Sequence, residues 1–161
     1  MIVIIKIALL FVLGLIAFQD IKDKKVNWIL FPITAIMMFT LYQNYTTLNL
    51  SYTFLLMNIF MVSSILGILF IYTKYIRGME FLNVSFGLGD VLFFYAFALG
   101  FPTITFLILF VCSILFSLII TLFRSKEYNV TGVPLAGLMS LFLAVIFSFG
   151  FVPSIPSLYN L

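Results

Sequence analysis

The side chains that could do chemistry in this chain are few, and nearly all of them are carboxylates. The 161 residues include no His and one Cys, which excludes a Ser–His nucleophile, a zinc site of Cys and His ligands, and an internal disulfide. Two close carboxyl groups can share one proton, so that the charged one activates water and the neutral one polarises a carbonyl group. This two-carboxylate chemistry needs neither metal nor cofactor, and we expect neither. The acidic residues are Asp20, Asp23, Glu80, Asp90 and Glu127.

The rest of the chain is too apolar for a water-soluble domain. Hydrophobic residues make up 65% of the chain and charged residues 8%, with a mean hydropathy of +1.31, whereas soluble domains carry roughly a quarter charged residues. The composition therefore predicts an integral membrane protein that contacts lipid, with one polytopic domain over residues 1–161. We expect no nucleic-acid partner.

Long uncharged runs predict where the chain crosses the membrane, since about 20 apolar residues span the hydrocarbon layer. The run 28–73 is too long for one crossing and is divided by the polar segment 43–49. The run 91–123 is divided at Gly100-Phe101-Pro102, because proline disfavours helix at and just before its own position. The sequence therefore predicts an all-α protein of six transmembrane helices, near 1–18, 28–42, 51–73, 88–100, 103–123 and 133–151.

The basic residues predict the orientation of these helices. With six spans, seven of the eight Lys and Arg residues fall on one side, which the positive-inside rule makes cytoplasmic. Both termini then lie outside, with three cytoplasmic connections, in the cytoplasmic (inner) membrane. The seven residues are Lys22, Lys24, Lys25, Lys74, Arg77, Arg124 and Lys126.

Asp20 and Asp90 are the two acids placed at membrane depth by this topology. Asp20 closes the first span and Asp90 opens the fourth, so both are expected near the cytoplasmic face. Ionisable residues at membrane depth are costly and are functional candidates by default. Asp23, Glu80 and Glu127 are expected to be solvated surface acids. A structural explanation for Asp90 is that it caps its own helix, since Asp is a favoured N-cap residue.

Two short motifs surround the aspartates. Gly87-Leu88-Gly89-Asp90 has the form Gly-x-Gly-Asp (GxGD), and Asp20 is followed by a short basic loop and the branched residue Val26. In both motifs the sequence resembles the prepilin peptidase (type IV leader peptidase) family of GxGD intramembrane aspartic proteases. The segment 133–137, Val-Pro-Leu-Ala-Gly, is similar to the opening of the last span in that family. The resemblance covers nearly the whole chain.

This resemblance implies that Asp20 and Asp90 form the catalytic pair of an aspartic endopeptidase. The implied substrate is a prepilin or pilin-like precursor, whose basic leader is cut at the cytoplasmic face. Gly87 and Gly89 are expected to allow a tight turn and a close approach of the substrate backbone. Asn27 and Leu92 stand where the family commonly has Pro and Lys. The short loops and single Cys indicate the short, peptidase-only branch.

Two other functions stay open: a small carrier in which Asp20 and Asp90 bind a cation or relay protons, and a catalytically inactive relative that holds pilin subunits. A transport site belongs near the bilayer midplane, usually between repeats, and this chain shows no repeat. The segment 74–86 mixes charged and apolar residues and is expected to lie at the interface as a gate. Gly14, Gly67 and Cys112 are expected to be close-packing positions between helices.

Overall fold

The computed structural model of the chain describes residues 2–45, 48–76, 87–123 and 133–149. In these ranges the chain folds into six α-helices and has no β-strand. The helices are α1 (Ile2–Asp23), α2 (Leu30–Gln43), α3 (Leu48–Ile71, continued by a π-helical turn over Tyr72–Ile76), α4 (Leu88–Ala98), α5 (Thr103–Phe123) and α6 (Leu135–Phe149). The prediction of an all-α protein, with helix breaks near 43–49 and 100–102, is confirmed. The expected gate at 74–86 and the acids Glu80 and Glu127 lie largely or wholly outside the described residues.

Long and short helices alternate along the chain. Helix α1, the stretch Tyr52–Tyr75 and helix α5 are each long and apolar enough to cross a membrane. Helices α2, α4 and α6 have 14, 11 and 15 residues, which at 1.5 Å per residue gives about 21, 17 and 23 Å. The hydrocarbon layer of a membrane is about 30 Å thick, so each of these three helices is shorter than the layer.

The helices pack around a core of aromatic rings. Helix α1 packs against α6 and α2, α2 also packs against α4, and α5 packs against α6. The ring of Phe97, fully buried, lies 5.7 Å from that of Phe106 and 5.8 Å from those of Phe101 and Phe110, all edge-on. Edge-to-face pairs of this kind stabilise a fold by about 0.5–1.5 kcal/mol each beyond burial. They fix α4 against α5 next to its short connecting turn.

The turn between α4 and α5 is buried and is held by one side chain. The Nδ2 group of Asn58, in α3, donates hydrogen bonds to the carbonyl oxygens of Ala98 (3.0 Å) and Phe101 (2.9 Å). Asn58, Ala98 and Phe101 are each no more than 1% exposed. The last carbonyl groups of a helix have no intrahelical partner, so Asn58 supplies a hydrogen-bond donor to the buried carbonyl of Ala98 at the end of α4.

Three packing expectations are wrong. Gly14 and Gly67 are not close-packing points, because an added Cβ would meet nothing within 4 Å at either position. Cys112 is exposed on α5 instead of packed between helices. An apolar helix in a membrane can face lipid on any side, so the small size of these residues did not indicate which face is packed.

Candidate active site

One end of the bundle contains the beginnings of the three short helices and the end of α1. A cavity of about 520 Å³ opens between them, within the usual range for ligand sites. Its lining includes both aspartates: Asp20 near the end of α1 and Asp90 in the first turn of α4. Lys24, Trp28, Phe31 and Ala136 lie in the same wall. The structure therefore brings together the two acids that the sequence singled out.

Each aspartate accepts a hydrogen bond from the first turn of α6. The Oδ1 atom of Asp90 accepts from the main-chain N–H of Ala136 at 2.8 Å, and the Oδ2 atom of Asp20 accepts from the N–H of Gly137 at 2.6 Å. Neighbouring main-chain nitrogens lie within about 4 Å, so the two bound oxygens are no more than about 9 Å apart. The two carboxylates are close enough to interact electrostatically.

The start of α6 is suited to hold negative charge. The first N–H groups of a helix have no intrahelical acceptor, and the helix dipole places partial positive charge there. Pro134, just before α6, has no side-chain acceptor to cap these groups. Asp20 and Asp90 take that role from two other helices, which lowers the cost of burying both acids partly in the protein.

Both aspartates lie at the helix ends where the sequence placed them, Asp20 in the last turn of α1 and Asp90 in the first turn of α4. Helix α1 continues past Phe18 to Asp23, so Asp20 lies inside the last turn and does not close the helix. The main-chain N–H of Lys24 donates to the Asp20 carbonyl at 3.2 Å, and Lys24 has a left-handed φ of 53°, which ends α1. In α4 the N-cap residue is Gly87, not Asp90. The main-chain N–H of Gly87 donates to the Asp90 carboxylate, so Asp90 helps to cap α4 from its third position without being the N-cap residue.

The GxGD glycines are needed for space, not for backbone conformation. Gly87 has φ −71° and ψ 138°, which other residues adopt readily. Its backbone conformation therefore does not require glycine, contrary to the expectation of a tight turn that does. A Cβ on Gly87 would lie 2.9 Å from the Oδ2 atom of Asp90, and one on Gly89 would lie 3.2 Å from the Cζ atom of Phe31. Gly87 thus leaves room for the carboxylate, and Gly89 lets α4 approach α2.

Asn27 and Leu92, the departures from the family pattern, both fit their surroundings. The Asn27 N–H donates to the Oε1 atom of Gln19 at 3.0 Å, and its Oδ1 atom accepts from the N–H of Ile29 at 3.3 Å. A proline at 27 would lack that N–H. Leu92 packs partly buried against the core, where a lysine would be poorly placed.

The residues that sequence reasoning missed act through main-chain groups or through aromatic walls. The N–H groups of Ala136 and Gly137 leave no trace in side-chain types, and their signal in the sequence was the resemblance of the whole segment 133–137 to the family pattern. Trp28, which the sequence did not single out as a site residue, lines the cavity. Asp23 is exposed as expected. Among the described residues no cluster of three or more potential ligands could hold a metal ion.

Comparison of the chain with family models, with curated proteins and with solved structures gives no match.

Proposed function

We propose that this chain is an intramembrane aspartic endopeptidase that removes the basic leader of type IV prepilin-like proteins. The observation that carries the proposal is that Asp20 and Asp90, far apart in the sequence, line one cavity and bind consecutive N–H groups of α6. Two carboxyl groups that line one cavity can bind a water molecule and a peptide carbonyl between them. One carboxylate activates the water and the other, protonated, donates to the carbonyl oxygen.

The proposed membrane arrangement is six spans in the cytoplasmic membrane, with both termini outside and the cavity at the cytoplasmic side. The short helices α2, α4 and α6 all begin at the cavity, so the aspartates lie below the membrane surface but near one face. This placement supports a peptidase that meets a substrate at the interface. A carrier site near the middle of the bundle has no such support among the described residues.

Cleavage of a pilin precursor by membranes that contain the protein tests the proposed reaction. The variants are Asp20→Asn and Asp90→Asn, with Asp23→Asn as a matched control, because Asp23 is an exposed acid of the same helix as Asp20. We expect the wild type and Asp23→Asn to remove the leader, and both active-site variants to lose cleavage. Processing retained in either variant contradicts the assignment.

Labelling of single cysteines tests the proposed topology. Cys112 is exposed, so it is first replaced by Ser. In that background Lys25→Cys and Phe123→Cys are expected to react with a membrane-impermeant maleimide only from the cytoplasmic side, and Asn44→Cys only from outside. Labelling of Phe123→Cys from outside would contradict six spans.

A further inference from the structure

Helix α6 is fixed to the two aspartates by its own backbone. The bonds come from Ala136 and Gly137, two consecutive residues of one rigid turn, and go to two different helices. Consecutive N–H groups in a helix have a nearly constant spacing and direction. Helices α1 and α4 do not pack against each other in the described part of the chain, whereas α6 packs against both, so α6 links the two carboxylates directly.

The contact at Gly137 is too close for any side chain. A Cβ on Gly137 would lie 2.8 Å from the Cβ atom of Asp20 and 3.0 Å from its Oδ2 atom. The first of these atoms belongs to the rigid base of the side chain and cannot swing away. Gly67, in α3, is a helical glycine with open space around its missing Cβ and provides a matched comparison.

We propose that Ala136 and Gly137 are positioning residues: their main-chain N–H groups set the separation of Asp20 and Asp90, and Gly137 must lack a Cβ. The role in cleavage rests on the proposed function, whereas the positioning itself does not. A displacement of about 1 Å in a catalytic group can reduce a rate by about 10²-fold. A displaced aspartate should lower kcat more than it changes KM, because the other residues that line the cavity stay the same.

Hydrogen exchange of the two amide protons tests the positioning without any substrate. In ¹⁵N-labelled protein in detergent, Asp20→Ala is expected to speed exchange at Gly137 at least about tenfold and to leave Ala136 within about threefold. Asp90→Ala is expected to do the reverse. Asp20→Asn keeps an acceptor oxygen and should keep Gly137 protected. Equal changes at both amides in each variant, or no change at either, would overturn the proposal.

Steady-state cleavage tests the consequence for catalysis. Gly137→Ala is expected to lower kcat at least about tenfold with KM within about twofold, while Gly67→Ala keeps both. Thermal unfolding in the same detergent checks that both variants are folded. If the wild type cleaves no precursor, the proposed function fails and the exchange experiment still decides the positioning. If the wild type cleaves and Gly137→Ala has the same kcat as Gly67→Ala, the positioning proposal fails alone.

Discussion

The two ends of helix α4 solve the same physical problem with opposite chemistry. At the turn after α4, the neutral amide of Asn58 donates to two buried carbonyl oxygens. At the cavity beside the start of α4, the carboxylates of Asp20 and Asp90 accept from two N–H groups of α6. Both arrangements satisfy helix-end groups with side chains from distant helices. The first is fully enclosed, and the second lines an open cavity.

This difference separates structural from chemical use of a buried polar group. Amides and carboxylates can both satisfy an unpaired main-chain group, and a neutral amide does so at a lower desolvation cost. Placing two carboxylates in the cavity therefore costs more desolvation free energy than placing two amides there, which favours a role for their charge in chemistry. Substitutions that remove a hydrogen-bond acceptor, a charge or free space beside the two aspartates should therefore lower activity. Substitution of Asn58 at the other end should lower stability.

The largest expected effect comes from comparing Asp20→Ala with Asp20→Asn. Both remove the charge, so both should lower cleavage of a pilin precursor at least about 10³-fold. Only Asp20→Ala also removes the hydrogen-bond acceptor of the Gly137 N–H group. Its free energy of unfolding should therefore be about 1 kcal/mol lower than that of Asp20→Asn. Leader removal assayed in membranes and thermal unfolding in detergent measure the two effects. Equal stability of the two variants would show that the bond to Gly137 contributes nothing to the fold.

At the opposite end, Asn58→Ala should change stability and leave chemistry intact. It removes both bonds to the turn, and bonds of this kind between membrane helices contribute about 0.6 kcal/mol on average and up to about 1.7. The free energy of unfolding should therefore fall by roughly 1–3 kcal/mol, with kcat per folded molecule unchanged. Asn44→Ala is the matched control, since Asn44 is exposed and its side chain donates to the Thr40 carbonyl within its own helix end. A loss of kcat in Asn58→Ala would contradict the separation of the two ends.

The smallest effects distinguish the two glycines of the GxGD motif. In Gly87→Ala the new Cβ meets the Asp90 carboxylate at 2.9 Å, whereas in Gly89→Ala it meets the edge of the Phe31 ring at 3.2 Å. The first should lower kcat about tenfold by moving the acid, and the second only about two- to threefold, because a ring can shift by a few tenths of an ångström. Initial cleavage rates compare them. The opposite order would indicate that the α2–α4 contact governs the site more than the room beside Asp90.

The sequence predicted much of the helical layout because apolar runs and their polar breaks reflect local physics. The break at 43–49 and the turn at Gly100-Phe101-Pro102 are both present. Asp20 and Asp90 stood out as acids in otherwise apolar spans, and their types alone indicated two-carboxylate chemistry. Helix ends were less predictable: α1 extends five residues past Phe18 through charged residues, because a helix can leave the apolar layer without a change in its own hydrogen bonding.

Other features had no local signature and depended on tertiary structure. The choice of Gly67 as a packing point failed because residue size does not show which helix face meets a neighbour. The N–H groups of Ala136 and Gly137 were invisible in the sequence because every residue except proline carries one. Burial of Asn58 could not be inferred either, since its partners are carbonyl groups of a turn that lies far along the chain.

Composition and spacing thus determined, by themselves, that this protein is helical and apolar and that carboxyl groups are its main candidates for chemistry. Those properties follow from side-chain types and from interactions within a few residues. Only the tertiary structure decided that Asp20 and Asp90 line one cavity, that α6 binds both, and that a side chain at Gly87 or Gly137 would collide with them. These depend on where separate helices approach each other, and that is set by packing in three dimensions.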